Sequence, residues 1–174
     1  MNAFDSFSTA RTCIRRLTPS DEAGLVELLC NPDVTDNLAF DENMKTAKGA
    51  KNLLELTISS YNTENPLLAF AIESYPDKQF LGVSGLNPLN EIEVEIFYAL
   101  LPESWGKGLA TEVLGGYVDY LFGNTSFEAI AAFITQNNDA SKKVAEKNGF
   151  ENLGLVKNPN FEDEVFLYKK EKTM

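Results

Sequence analysis

Apolar residues recur along this chain with two periods, and the switches between them mark out its elements. Period two is clearest over Glu91–Leu101. There Ile92, Val94, Ile96, Tyr98 and Leu100 fall on one face and Glu91, Glu93, Glu95, Phe97 and Ala99 on the other. A weaker alternation over Thr12–Leu17 predicts a first strand, stopped by Leu17-Thr18-Pro19-Ser20. Ser20 then reads as an N-cap, with Asp21 and Glu22 in the first turn of a helix whose apolar face carries Leu25, Val26, Leu28, Leu29 and Cys30. Asn31-Pro32 ends that helix, and Val34–Asn43 has no period. Thr46 is placed to cap a second helix, in which Ala50, Leu53, Leu54, Ile58 and Tyr61 repeat at helical spacing.

The apolar runs Leu67–Glu73 and Phe80–Leu86 flank the turn Pro76-Asp77-Lys78 and predict a hairpin. After the strand at Glu91–Leu101, helical spacing returns from Leu109 to about Phe122. Glu128–Ile134 is nearly all apolar, as a strand buried on both faces should be. Asn138 and Gly149 bracket a short helix as N-cap and C′ residue, and Phe150–Val156 and Glu164–Lys170 close the chain as strands. The order β-α-α-β-β-β-α-β-α-β-β predicts a mixed α/β fold. Its central sheet has about seven strands, mostly antiparallel, with helices on both faces. Residues 1–174 read as a single domain.

Composition removes several chemistries. There are no histidines, so neither a Ser-His-Asp nor a Cys-His nucleophile system can form, and no histidine metal site is available. Cys13 and Cys30 are too few and too far apart for a zinc site; no metal is expected, and two lone cysteines fit a reduced, cytoplasmic setting. With 26 acidic and 15 basic residues, the formal charge of −11 argues against nucleic acid as a partner and is compatible with a cationic substrate. No apolar run is long enough to span a membrane, and the start Met-Asn-Ala-Phe-Asp has neither the charge nor the apolar core of a secretion signal.

The segment Trp105-Gly106-Lys107-Gly108-Leu109-Ala110-Thr111-Glu112 joins the clearest strand to the helix after it. Glycines let a backbone approach a ligand closely, and the first N–H groups of a helix have no intrahelical partner. Strand, glycine turn and helix start therefore form a candidate anion site, while a plain tight turn is the alternative. No Gly-Lys-[Ser/Thr] closes the segment as in a P-loop. Thr111 stands where a dinucleotide fingerprint has its third glycine. A different phosphate-bearing cofactor is the better candidate. A Rossmann-type binder fits one spacing, from Gly108 to Glu128, but not the preceding run of hairpin strands.

Three blocks together resemble a known family: Glu95-Ile96-Phe97-Tyr98, the segment Trp105–Glu112, and Asn138-x-x-Ser141 followed by Lys147-Asn148-Gly149-Phe150. In order and spacing the chain is similar to the GNAT superfamily of acyl-CoA-dependent N-acetyltransferases, within it to the branch named for ribosomal-protein N-terminal alanine acetyltransferases. The resemblance runs from Ile14 to the last strand. It implies that Trp105, Gly106, Lys107, Gly108, Leu109, Ala110 and Thr111 hold the pyrophosphate of coenzyme A, with Lys107 either adding charge or simply solvated. It implies that the pantetheine arm lies between Glu95–Leu100 and Ala131–Thr135, where a backbone N–H near Phe97 or Tyr98 polarises the thioester carbonyl. Asn138 stands at a coenzyme-contacting asparagine, and its role as a helix cap is compatible with that. Trp105 replaces the Arg or Gln that many relatives carry, as the branch often does. Ala145 stands where many relatives place an acidic tyrosine.

The chemistry implied by the resemblance is direct attack of an amine on acetyl-CoA, with a carboxylate taking the proton since no histidine can. Glu95 is the first candidate for that base and Glu93 the second; a purely structural acidic strand face is the alternative. Tyr98, on the opposite face, is expected in the core. Ser141, with Ala145 expected on the same helix face, is the candidate donor to the leaving thiolate. Otherwise water serves, or the thiolate leaves unaided. The acceptor is a peptide or protein N-terminus or a small amine, aminoglycosides and polyamines included. A non-catalytic acyl-CoA-binding module is the rival from another class. The protein is expected to act as a monomer or homodimer.

Overall fold

Hydrogen-bonded strand pairing joins almost every extended segment of the chain into one sheet. The computed structural model describes residues 1–173. The strands are β1 (Ser6–Ser8), β2 (Thr12–Arg16), β3 (Ala69–Ser74), β4 (Phe80–Pro88), β5 (Glu93–Leu100), β6 (Ala129–Ile134), β7 (Glu151–Val156) and β8 (Val165–Glu171). Their spatial order is β1-β2-β3-β4-β5-β6-β8-β7. Every neighbouring pair is antiparallel except β5 and β6. A nucleotide-binding sheet built from βαβ units is therefore ruled out, and the mixed, mostly antiparallel sheet expected from the sequence is present with eight strands rather than about seven. The additional strand is β1, whose three residues are too short to display a period.

The helices are α1 (Glu22–Leu29), α2 (Pro32–Thr35), α3 (Ala47–Ser60), α4 (Leu109–Asn124) and α5 (Asp139–Lys147). The pleat of β4 assigns them to faces. Val83 borders a cleft together with Leu25 and Leu29 of α1. Its neighbour Ser84 points the other way, with its hydroxyl 2.7 Å from that of the fully buried Tyr117 in α4. Successive side chains on a strand face opposite sides, so α1 and α3 cover one face while α4 and α5 cover the other. Tyr117 is further packed by Phe4 and Phe7, and this aromatic cluster fixes α4 against β1 and β2.

Two local details differ from the expectation. Ser20 does not cap α1. A 3-10 turn, Pro19–Asp21, precedes the helix, and Thr18 and Asp21 form a capping box around it, with Thr18 N–H donating to Asp21 Oδ2 at 2.8 Å. The stretch 34–43 is only partly irregular, because Asn31 caps the short α2 by accepting from Asp33 N–H at 3.0 Å. Elsewhere the expected caps are in place. Thr46 accepts from Gly49 N–H at 3.0 Å, and Gly149, with φ of 75°, ends α5.

Asp21 also joins an ion cluster at the root of β2. Arg15 donates to both Asp21 oxygens, at 2.8 and 2.9 Å, and through Nε to Glu73 of β3 at 2.5 Å. Asp21 and Glu73 are both buried. Burial pushes the Asp21 carboxyl up, but the hydrogen bonds from Arg15 and Thr18 outweigh it and hold the group below its ordinary range. A carboxyl lowered on folding contributes stability that is complete above its unfolded value, near ~3.9, and is lost as pH falls through the folded value. Acid should therefore weaken the wild type below about pH 4, and Asp21→Asn should flatten that part of the profile. Arg15→Met leaves two buried carboxylates without their cation. It should lower the unfolding free energy by about 3 kcal/mol in urea titrations at neutral pH, and a loss within error of zero would show that the cluster is not stabilising.

Candidate active site

The parallel ladder between β5 and β6 has only three rungs: Glu93–Ala129, Val94–Ile130 and Glu95–Ala131. Beyond Glu95, β5 goes on pairing with β4 as far as Leu100, while β6 goes on pairing with β8 as far as Ile134. The two strands thus part, and the backbone edges they would have shared face a cleft instead of each other. The cleft has a volume of about 210 Å³, and its walls include Glu95, Phe97, Tyr98, Asn138 and Ser141. All five are singled out by the sequence, and one interruption in the sheet brings them together.

Each of these side chains has a definite environment. Glu95 is half-buried on the α1 side of β5, and its Oε2 accepts from Asn87 Nδ2 at 3.0 Å. Glu93 lies in the closed part of the ladder and is paired with Lys169 at 3.0 Å, away from the cleft. Tyr98, expected in the core, packs against it without being enclosed by it. It is half-buried and borders both the cleft and its continuation toward Trp105 and Ala110. Burial pushes its phenol up to about 12, with the neighbouring Ser141 hydroxyl opposing the rise. Asn138 accepts from Ser141 N–H at 3.1 Å, so it caps α5 while standing in the cleft wall. Ala145 does not share the exposed face of Ser141: it is fully buried, and Val144 lines the cleft at that level. A helix advances about 100° per residue, so positions four apart are offset by some ~40°, enough here to turn one into the core.

The glycine turn lies at the far end of the same path. Gly106 and Gly108 have φ of 71° and 75°, a region that disfavours side chains. Among the described residues, the N–H groups from Gly106 to Thr111 find no acceptor in the chain, and no side chain caps α4 at Gly108. Trp105 is half-exposed, and its indole N–H donates to Leu100 O at 2.8 Å, fastening the turn to the end of β5. Lys107 is exposed. Leu109, Ala110 and Thr111 form the first turn of α4, and Thr111 O accepts from Asn148 Nδ2 at 3.1 Å, which links the third sequence block to the second.

One group at this turn is not legible in the sequence. Arg11, in the connection between β1 and β2, donates through Nη1 to Lys107 O at 3.0 Å and through Nε to Glu112 Oε2 at 2.7 Å. Burial raises the Glu112 carboxyl, but the Thr9 hydroxyl and the Arg11 N–H groups donating to it outweigh that, so it lies below its ordinary range. Its negative charge at the helix start is thereby matched by a guanidinium, and the turn remains suited to an outside anion. The described residues hold no cluster of metal-ligating side chains, and none of their helices is long and apolar enough to cross a membrane.

Comparison with known proteins agrees with this geometry. YoaA of Bacillus subtilis (strain 168), an uncharacterized N-acetyltransferase, is 28% identical over 156 residues, spanning 88% of this chain and 87% of its own. A ribosomal-protein-S5-alanine acetyltransferase from Vibrio fischeri shares the fold with a TM-score of 0.75 at 20% identity, over 97% of both chains. A spermidine N-acetyltransferase from Vibrio cholerae, solved with CoA and spermine, does so with a TM-score of 0.77 at 20% identity, over 92% of this chain and 95% of its own. Residues 11–151, which take in the parted strands, the glycine turn and α5, match the family described as Acetyltransferase (GNAT) domain. A strand gap that opens beside a carboxylate and leads to an uncapped helix start thus lies within the matched region, and the chain belongs to the GNAT acetyltransferases.

Proposed function

We propose that this enzyme moves an acetyl group from acetyl-CoA to a primary amine by direct attack, with the pyrophosphate at the glycine turn and the thioester at the parting of β5 and β6. The observation that carries this reading is the single path joining an anion-receptive turn to a half-buried carboxylate. Unpaired N–H groups from Gly106 to Thr111, among the described residues, suit a diphosphate. On the free edge of β5 the N–H of Tyr98 offers itself to a thioester carbonyl as negative charge builds on it, whereas the N–H of Phe97, one residue earlier on the alternating strand, is directed at β4. Glu95, steadied by Asn87, takes the proton of the attacking amine through a water. As the C–N bond forms and the C–S bond breaks, the sulfur leaves as a thiolate. The Ser141 and Tyr98 hydroxyls donate hydrogen bonds to it. A phenol raised to about 12 keeps its proton throughout the neutral range, and a thiolate whose conjugate acid is near ~8.5 needs only that much help. Two free cysteines, Cys13 and Cys30, are in keeping with a cytoplasmic enzyme.

Three measurements test this. Gly108→Asp places a side chain and a negative charge at the turn, so acetyl-CoA affinity should fall at least tenfold, about 1.4 kcal/mol, by calorimetry; unchanged affinity in a folded variant removes the turn from the site. Glu95→Gln should lower turnover roughly 10²-fold, and the loss should shrink as pH approaches the pKa of the amine; a loss independent of pH would assign Glu95 to positioning instead. Ser141→Ala and Tyr98→Phe should each cut turnover about tenfold while leaving acetyl-CoA affinity within about twofold. The Tyr98→Phe ratio to wild type should stay level from about pH 7 to 10, since the phenol remains protonated there. Full turnover in the double variant would mean that the thiolate departs without assistance from either hydroxyl.

A further inference from the structure

On the α1 side of the sheet, a second cleft of about 540 Å³ runs beneath α1, α3 and the segment 39–44. It meets the first at Phe97 and Asn87, both of which line the two clefts. The same Asn87 holds Glu95, so the second cleft ends beside the proposed base. Its walls are mostly apolar, built around Leu25, Leu29, Phe40, Met44, Leu53 and Phe97, with Phe40 edge-on to Phe97 at 5.9 Å. Among the described residues no Lys or Arg lines it, and its one ionisable wall residue is Asp41. Of the remaining polar side chains, Thr57 Oγ1 donates to Leu53 O at 2.7 Å and Asn87 Nδ2 to Glu95, while Asn160 lies exposed at the rim.

From this we infer that the acceptor is a primary amine carrying one apolar substituent, which fills the cleft while the nitrogen reaches the acyl carbon beside Glu95. The inference rests on the acetyl-transfer reading and narrows it. Each methylene moved from water into such a cleft contributes about 0.8 kcal/mol. A polyamine or aminoglycoside would instead place further ammonium groups against an apolar wall, and an unpaired buried charge is far more costly than the one carboxylate at Asp41 can offset. The shared chemistry covers a free alkyl or arylalkyl amine and the first residue of a peptide with an apolar side chain.

The test is a series of n-alkylamines from propylamine to heptylamine, run with acetyl-CoA and followed by release of free thiol. The expected result is a kcat/KM that climbs by about fourfold per added methylene over the first members, with spermidine and kanamycin poor by comparison. Tripeptides beginning with Leu or Phe, against others beginning with Ser or Asp, separate the two sources: a steep preference for the apolar peptides over heptylamine assigns the cleft to a peptide side chain, and the reverse to a free amine. Leu53→Asp should flatten the alkylamine series, and so should Met44→Glu, which lies outside any helix and tests the cleft if the first variant fails to fold. Calorimetry of the same amines on protein saturated with coenzyme A reads binding apart from turnover. Length-dependent binding without acetylation would uphold the cleft while sinking the transfer reading. Acetylation without dependence on length, or a preference for spermidine, would overturn the inference and leave the transfer reading intact. A dimer that either variant converts to monomer, with neither binding nor turnover rising along the series, would show that the cleft is covered by a second copy, and would also overturn it.

Discussion

The ending of one hydrogen-bonded ladder organises this molecule. Parallel pairing between β5 and β6 stops after Glu95–Ala131 because each strand goes on following its other neighbour, β4 on one side and β8 on the other. Buried backbone groups that lose their partners are costly unless something else satisfies them. A gap in the middle of a sheet is tolerable where it opens onto solvent or a ligand, and here it opens onto a cleft. The surrounding structure compensates. Tyr117 and Ser84 tie α4 to β4 behind the gap, and Trp105 ties the glycine turn to the last residue of β5. The candidate site is thus a defect held open by well-packed neighbours, lined from within β5 on one side and from the start of α5 on the other.

Much of this is legible in the sequence, and for identifiable reasons. Alternation over Glu91–Leu101 assigns residues to the two faces of β5, so Glu95 and Phe97 are expected together and are found together. Gly106 and Gly108 announce a turn because only glycine sits comfortably at their φ values. Asn138 and Gly149 mark both ends of α5 because caps act within one turn of the chain. All of these signals are local. The features that escape are non-local. β1 is three residues long, and its pairing with β2 is legible only once β2 has a place. The contact of Arg11 with Lys107 and Glu112 joins residues 96 and 101 positions apart.

The departures from expectation have the same origin. Alternation alone puts Tyr98 in the core, yet the gap beside β5 makes its strand face accessible at this one level. Helical spacing sets Ala145 beside Ser141, but the packing of α5 on β6 and β7 rotates it inward. Position before the acidic pair favours Ser20 as a cap, whereas Asp21 is committed to Arg15 and Thr18, which moves the helix start. In each case a tertiary contact overrides a sound local preference.

Trp105 is the only tryptophan in the chain. Its ring is half-exposed and its nitrogen is anchored to Leu100 O, so it sits where strand, turn and helix meet. Indole emission responds to nearby polarity and charge, and with one indole beside six tyrosines, light absorbed by tryptophan alone reports on this turn and on no other part of the chain. A single optical probe thus borders the cleft that runs from the glycine turn toward Tyr98 and Ser141, and any molecule entering that cleft can be followed in the unlabelled protein by its own light.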